Sequence, residues 1–310
     1  MLRRALRYIE CMRHILLRAS ALALLAAILL GCASPPRDRG LAIEYYNIGN
    51  AYLELGRLEK ALDAYRNSLR LDPGFLKADY NLALTHARMK STAEAESILK
   101  RMLADDPENV ALMATLAWAY HLGGRDQEAL ATYDEVLEIA PENADAWYNS
   151  GLILWRMQRQ EEALRRLRQV LVLSPEDPQG LLGAGSLLLS TGDPAAAEDT
   201  LARYIEKKPD DMDARYMLAD SRERQRAFAR AIAAYDGILA RDQKQAGAWF
   251  GKARLLLTVI EDPTRGLEAL HKAIELGFAD RDAAKVLQDS EGLLERGAVE
   301  QAMKESGLLP

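Results

Sequence analysis

The sequence predicts an all-α protein in which one helical hairpin is repeated along the chain. The first observation is a series of prolines at a constant spacing of 34 residues. These are Pro73, Pro107, Pro141, Pro175 and Pro209. A second series with the same spacing is Ala61, Ala95, Ala129, Ala163, Ala197 and Ala231. A third series of small residues runs from Gly49 to Ala253. Three position classes with one period indicate an internal repeat, and no alternating β-branched stretch predicts a strand.

The first repeat shows why each period forms two helices. Tyr45, Gly49 and Tyr52 are four and three residues apart, which places them on one face of a first helix. A second amphipathic stretch follows. Gly56 lies between the two and is suited to the left-handed conformation that ends a helix. Pro73 ends the second helix because its ring clashes with the preceding turn.

This pattern closely resembles the tetratricopeptide repeat (TPR), a helix–turn–helix family with a 34-residue period. The resemblance covers about residues 42–278 and implies a right-handed superhelical α-solenoid of about seven repeats within residues 42–279. The repeats begin at residues 42, 76, 110, 144, 178, 212 and 246. The seventh carries one extra residue in the turn at Glu261–Thr264, so that Gly266 takes the small position of its second helix.

Residues 280–310 are expected to form C-terminal capping helices, which repeat arrays need for solubility. Asp280 is predicted to cap a helix over Arg281–Gln288. We expect Ser290 to open a last helix and Gly307–Pro310 to be frayed.

The charge of the chain narrows the possible partners. Beyond residue 31 the protein has 35 Lys and Arg against 45 Asp and Glu, a net charge of −10. Nucleic-acid binding depends on neutralising phosphates, so no nucleic-acid partner is expected. Ser221–Arg230 is a local Arg-rich exception. We interpret it as a salt-bridged helix end, with a phosphate site as the alternative.

Residues 1–31 have the features of a bacterial lipoprotein signal peptide. Arginines precede the apolar stretch Ala19–Leu30, which is shorter than the roughly 20 residues that span a membrane. The Leu-Leu-Gly-Cys sequence ending at Cys32 resembles the lipobox. The resemblance implies cleavage before Cys32, a diacylglycerol on its sulfur and an acyl group such as palmitate on its new amino group. Residues 32–41 would form a lipidated tether. Ala33, where inner-membrane lipoproteins often carry Asp, favours the outer membrane, facing the periplasm. The alternative is an ordinary signal peptide or an apolar helix with an incidental cysteine.

The TPR resemblance also implies a concave groove lined by the first helices, in which the family takes extended peptides or partner helices. The candidate groove residues are Tyr46, Asn47, Asn50, Tyr80, Asn81, Trp118, Tyr148, Asn149 and Trp155. A carboxamide both donates and accepts hydrogen bonds, so these asparagines could pair with a peptide backbone. Aromatic side chains concentrate binding energy in interfaces. The alternative, given equal weight, is that the same residues serve packing within the family. The clamp for chaperone C-terminal carboxylates is absent, since Tyr46, Ala111 and Thr115 stand where it needs basic residues.

No catalytic, metal-binding or cofactor motif stands out, and we expect a protein that is not an enzyme. His86, His121 and His271 are far apart in sequence, and His86 occupies a packing position of its repeat. Gly180–Gly185 contains three glycines in one predicted helix. Mid-helix glycine is destabilising, so we expect a soft or roomy stretch there, and the lack of a preceding strand disfavours a phosphate loop.

The sequence therefore favours a lipid-anchored protein–protein interaction scaffold of the bacterial cell envelope. Its partner would be another envelope protein or peptide segment, in envelope complex assembly, pilus biogenesis or secretion. Its contact with the membrane would be made through Cys32. The alternative is a carrier of a small apolar ligand enclosed by the groove, with Trp118 and Trp155 against the ligand. An envelope enzyme is a third possibility that no motif supports.

Overall fold

The structure, a computed structural model, describes residues 38–310. The predicted signal peptide, Cys32 and most of the tether lie outside these residues. Within them the chain forms sixteen helices and no strand, in agreement with the predicted all-α fold. Two compact parts are distinguished, an N-terminal part that ends at Gly124 and a C-terminal part, Arg125–Pro310. None of the helices between residues 38 and 310 combines the length and the apolar character needed to cross a bilayer.

The N-terminal part contains five helices, and each packs against the next along the chain. They are α1 (Arg39–Glu54), α2 (Leu58–Leu71), α3 (Leu76–Arg88), α4 (Thr92–Asp105) and α5 (Val110–Leu122). The first helices of successive repeats, α3 and α5, also touch each other. The N-terminal part is therefore a series of stacked hairpins.

The C-terminal part contains the remaining eleven of these helices and follows the same hairpin pattern. They are α6 (Asp126–Ile139), α7 (Ala144–Arg156), α8 (Gln160–Leu173), α9 (Pro178–Thr191), α10 (Pro194–Lys207), α11 (Met212–Arg224), α12 (Phe228–Leu239), α13 (Ala246–Thr258), α14 (Pro263–Glu275), α15 (Arg281–Gln288) and α16 (Arg296–Glu305). In the second to seventh repeats, the first helix begins at the residue where the sequence places the start of the repeat. α1 instead begins at Arg39, inside the predicted tether, because Asp38 accepts a hydrogen bond from the Leu41 N–H (3.0 Å) and caps it.

The turns inside the repeats show the period directly. Gly56 has a φ of +68°, which confirms its predicted left-handed conformation. Residues with positive φ recur at the same spacing as Lys90, Gly124, Gln158, Gly192 and Arg226. The next one is Glu261, one residue later than the period requires. This places the predicted extra residue between α13 and α14, and Gly266 is buried against Leu257 as expected.

At the small positions of the first helices, a side chain of the second helix packs directly against the glycine. A Cβ atom on Gly49 would lie 2.4 Å from the Tyr65 ring, and one on Gly185 would lie 2.8 Å from Leu201. The glycine-rich helix α9 is likewise packed rather than roomy, since Gly180 is covered by Val170 and Gly183 by Leu167. The expected open space in this helix is therefore wrong, because branched side chains of neighbouring helices occupy it.

The Arg-rich stretch Ser221–Arg230 is held by ion pairs, as the salt-bridge interpretation predicts. Arg222 Nε lies 2.9 Å and Arg230 Nη1 2.8 Å from Glu198. Although burial alone would raise it, hydrogen bonds from Arg222 and Gln225 hold the pKa of Glu198 below its usual value. These guanidinium groups are already occupied, so the structure gives no support to a phosphate site.

The C-terminal segment differs from the prediction in two ways. α15 forms as expected, capped by Asp280, but the last helix begins at Arg296 instead of Ser290. The reason is that the intervening turn docks on the end of α13, where the Leu294 N–H donates to the Leu257 carbonyl (2.9 Å). The end of the chain is not frayed, because Leu308 and Leu309 are buried in the cluster formed by α13 to α16.

Candidate functional site

An apolar cleft of about 550 Å³ lies in the N-terminal part. It is bounded by the first helices α1, α3 and α5 and by the end of α4. Its lining consists of Tyr46, Leu76, Lys77, Tyr80, Asn81, Met102, Asp105, Asp106, Asn109, Ala111 and Leu112. Three of the predicted groove residues, Tyr46, Tyr80 and Asn81, therefore come together in one cavity. Its volume is in the range of sites that accept a side chain cluster or a small ligand.

The aromatic walls of the cleft are held in place by neighbours. The Tyr46 ring centroid lies 5.1 Å from that of Phe75 and 6.1 Å from that of Tyr65. The Tyr80 hydroxyl is 2.9 Å from Thr115 Oγ1. Thr115 uses its own hydrogen for the Ala111 carbonyl (2.8 Å), so Tyr80 is the donor. Fixed rings lose little conformational freedom on binding, which favours a preformed site.

Two asparagines beside the cleft are oriented by a buried tyrosine. Asn50 Oδ1 accepts hydrogen bonds from the Tyr65 hydroxyl (2.8 Å) and from Asn81 Nδ2 (2.8 Å). Burial raises the pKa of Tyr65 to about 12, against a hydrogen bond with Asn81 that acts to lower it, so the phenol remains a donor. Within residues 38–310 the Asn81 side-chain oxygen Oδ1 and the Asn50 side-chain N–H groups form no hydrogen bond, which leaves them for a ligand.

The rim of the cleft is polar and comes from a part of the repeat that the sequence analysis did not consider. Asp105 and Asp106 are exposed at the end of α4. Asn109 donates to Asp106 (2.8 Å) and caps α5 through the Leu112 N–H (3.1 Å). The predicted groove residues all lie on first helices. The closing loop of a repeat directly precedes the next first helix, so the spacing places its acidic residues near the groove.

The other two groove candidates of the N-terminal part are placed differently. Asn47 is exposed on α1 and is not among the residues that line the cleft. Trp118 packs against the buried residues Ala87, Ala95 and Ala119, outside the cleft. Its half-buried ring therefore contributes to packing between α3, α4 and α5.

The groove candidates of the C-terminal part also have structural contacts. Burial raises the pKa of the buried Tyr133, and hydrogen bonding with Asn149 acts to lower it. This repeats the Asn81–Tyr65 relation two repeats further along the chain. Tyr148 is half-buried beside Gly183, and burial together with the Asp177 carboxylate raises its pKa. Trp155 is half-buried as well. The asparagines thus pair with tyrosines of the preceding second helix.

The described part of the chain contains no cluster of metal ligands, and its buried histidine has a packing role. Between residues 38 and 310, no group of three His, Cys, Asp or Glu side chains is arranged to hold a metal ion. His86 is only 7% exposed. Burial, followed by the charge of Arg66, lowers the pKa of its imidazole, while Glu94 acts to raise it. A neutral buried ring agrees with the predicted packing role.

Models of the tetratricopeptide repeat family match residues 42–75, 86–152, 148–212 and 216–284. Together these ranges cover most of the chain. The crystal structure of YrrB, a TPR protein with an unusual peptide-binding site, is similar, with a TM-score of 0.55 and 21% identity over 61% of this chain and 96% of YrrB. A TPR protein from Parabacteroides merdae ATCC 43184 has a TM-score of 0.51 and 20% identity over 80% of this chain and 98% of its own. These likenesses show the fold.

Two curated relatives match shorter stretches. An uncharacterized lipoprotein of Treponema pallidum (strain Nichols) is 29% identical over 116 residues, 37% of this chain. Anaphase-promoting complex subunit 7 of Arabidopsis thaliana is 34% identical over 97 residues, 31% of this chain. The chain spans 58% of the first relative and 17% of the second.

The stacked hairpins, the period and the family models define a helical repeat protein. The chain belongs to the tetratricopeptide repeat family.

Proposed function

We propose that this protein is a lipid-anchored scaffold of the bacterial cell envelope that holds a segment of a partner protein in the cleft of its N-terminal part. The observation that carries the proposal is the preformed apolar cleft, with the Asn50 and Asn81 amide groups beside it. Apolar walls supply binding energy, and a carboxamide pair can satisfy the backbone of an extended segment. Assembly of an envelope complex, pilus biogenesis and secretion are the processes in which such a scaffold would serve.

The anchor is supported by the sequence around Cys32 and by the similarity to a Treponema pallidum protein described as an uncharacterized lipoprotein. Several acyl chains on one residue give stable membrane attachment, whereas one chain gives marginal attachment. We propose the outer membrane, with the repeats facing the periplasm.

A pull-down from solubilised envelopes tests the scaffold. We expect the wild-type chain to recover a defined partner and Ala111→Trp to lose it, because the new indole fills the cleft. Ala51→Trp is the matched control, since Ala51 is exposed on α1 and is not among the lining residues. Equal recovery by wild type and Ala111→Trp would contradict a cleft-based function.

A carrier of a small apolar ligand is the second candidate, favoured by the apolar lining and the volume of the cleft. The predicted role of Trp118 in enclosing the ligand receives no support, since Trp118 packs elsewhere. Tritiated or fluorescent fatty acids would bind with one-to-one stoichiometry if the carrier function is correct, and Ala111→Trp would abolish that binding.

A further inference from the structure

We propose that the cleft of the N-terminal part selects a peptide segment in which a large apolar side chain has a basic residue next to it. This inference rests on the proposed scaffold function and specifies the chemistry of the partner. The apolar side chain would enter between Tyr46, Tyr80 and Met102, and the basic residue would lie against Asp105 and Asp106.

The interior of the cleft suits an aromatic or long aliphatic side chain. Tyr46 and Tyr80 come from two successive first helices, Met102 from a second helix, and Leu112 from the first helix after it. Met adapts to irregular ligand shapes and makes favourable contacts with aromatic rings. Leu76 at the cleft is 66% exposed, so a ligand would cover an apolar surface that now faces water.

The negative charge of the rim favours a peptide with a basic residue over one with an acidic residue. Asp105 and Asp106 are both exposed, and the hydrogen bond that Asp106 receives comes from the neutral Asn109. Neither carboxylate forms an ion pair with a residue of the described chain. Asp79 on α3 differs, because Arg101 lies 2.7 Å from its carboxylate. Lys77 is the one cation in the lining, so the rim keeps an excess of negative charge.

The peptide backbone would be read by the paired asparagines. Asn81 lines the cleft, and its side-chain Nδ2 already donates a hydrogen bond to Asn50 Oδ1. Its side-chain oxygen Oδ1 is left to accept a backbone N–H. Asn50 is not a lining residue but is bonded to Asn81 beside the cleft, and its side-chain N–H groups would donate to a backbone carbonyl. Neither contact reads a side chain, so selectivity would come from the apolar cavity and the acidic rim.

Fluorescence anisotropy on the full chain in detergent, with three labelled nine-residue peptides, tests this inference. The peptides share Gly and Ser flanks and differ at the centre, which is Lys-Phe-Lys, Glu-Phe-Glu or Lys-Ser-Lys. We expect the Lys-Phe-Lys peptide to bind. The Lys-Ser-Lys peptide should bind about tenfold more weakly or worse, because a buried ring is lost. The Glu-Phe-Glu peptide should also bind more weakly, and added salt should narrow the difference.

Substitutions in the protein test whether the rim and the cleft are responsible for the peptide affinity. Replacing Asp105 and Asp106 by Asn should weaken the Lys-Phe-Lys complex about fivefold and remove most of its salt dependence. The control is Glu108→Gln, which deletes one acidic charge from the same loop at a residue that does not line the cleft, and it should leave the affinity unchanged. Ala111→Trp should abolish binding of every peptide, with circular dichroism used to verify the fold.

Equal affinity for the Lys-Phe-Lys and Glu-Phe-Glu peptides would overturn the charge selectivity. A neutral apolar small molecule of the volume of the cleft could also be tested as a competitor. If it displaced the peptide fully and bound with the same affinity as the peptide, the carrier function would be favoured and a peptide would be ruled out as the occupant. The proposed scaffold function is tested separately. If the envelope partner is recovered in a cleft-dependent manner while all three peptides fail to bind, the scaffold stands and this inference falls. If no partner is recovered, the scaffold itself fails.

Discussion

A single residue in the left-handed conformation closes the first helix of each repeat, and four of these seven positions lack glycine. Lys90, Gln158 and Arg226 have φ near +60°. A side chain with a Cβ atom is strained there by about 1–2 kcal/mol, which glycine avoids. The repeats that carry Gly56 or Gly192 at this place are free of that strain.

Replacing Gln158 by Gly should therefore raise the free energy of unfolding by about 0.5–1 kcal/mol, after the larger chain entropy of glycine is counted. Urea titration followed by circular dichroism measures the change. Gln169→Gly, inside helix α8, is the matched control and should lower stability by a similar amount. Destabilisation by both substitutions would contradict the strain at residue 158.

His86 gives the stability a dependence on pH. Its ring is buried, and its Nδ1 has no hydrogen-bond partner among residues 38–310. Burial lowers the pKa of the imidazole below its usual 6.5. The unfolded chain therefore binds the proton more readily than the folded chain. The contribution of the neutral ring is fully present above pH 6.5 and is lost as the pH falls below it.

We expect His86→Tyr to lose less stability than wild type between pH 7.5 and pH 5.5. Tyrosine stands at the same position in the first and third repeats, as Tyr52 and Tyr120, so the change suits the fold. Urea unfolding at the two pH values gives the comparison. The same loss in both proteins would show that His86 is not the titrating group.

At the scale of the helical hairpin, the small positions determine how a second helix packs on the first. Gly49 is next to the Tyr65 ring, where a Cβ atom would be only 2.4 Å from ring carbon Cε1. A Cβ atom on Gly151 would meet its nearest neighbour, Arg166 Cβ, at 3.2 Å, so its hairpin needs a much smaller shift. The same repeat position therefore tolerates alanine to different degrees.

Gly49→Ala should lower the free energy of unfolding by about 1–3 kcal/mol because the ring of Tyr65 must move. Gly151→Ala is the control and should change it by less than half as much. Adding Tyr65→Leu to Gly49→Ala recreates the Ala83 and Leu99 pair of the second repeat and should recover part of the loss. A double-mutant cycle by urea titration measures the coupling, and additive effects of the two changes would argue against it.

The helices could be predicted from the sequence because each repeat combines an amphipathic pattern with a turn residue, and the first five repeats also end in a proline. The pattern even predicted the position of the extra residue in the seventh repeat, which the positive φ of Glu261 marks. The start of α16 could not, because the turn before it depends on a distant contact, the hydrogen bond from Leu294 to Leu257. The acidic rim at Asp105 was missed for a similar reason, since it becomes part of a cleft only through stacking.

The site was predictable in part. Tyr46, Tyr80 and Asn81 meet in the cleft because equivalent positions of neighbouring first helices face the same side. The pairing of Asn81 with Asn50 and Tyr65 depends on distances that spacing alone does not give. The asparagines can therefore serve both packing and binding, the two alternatives that the sequence left open.

At the scale of the whole molecule, the charge of the chain bears on how it could stay at a membrane. The residues beyond 31 carry ten more acidic than basic groups. Anionic lipid surfaces attract basic segments and repel an acidic protein. The proposed acyl chains on Cys32 would hold the chain independently of this charge, because their contribution grows with each buried methylene and does not depend on salt.

Cys32→Ser should move the protein from the membrane pellet to the soluble fraction, because serine offers no thiol for the lipid. Cys11→Ser is the matched control: it removes the other cysteine of the chain, within the predicted signal peptide, and should stay in the pellet. Wild type should also remain there after a wash with 0.5 M salt, roughly the strength at which surface charge attraction is screened. Release of wild type by that wash would indicate electrostatic binding, and retention of Cys32→Ser in the pellet would rule out the thioether anchor.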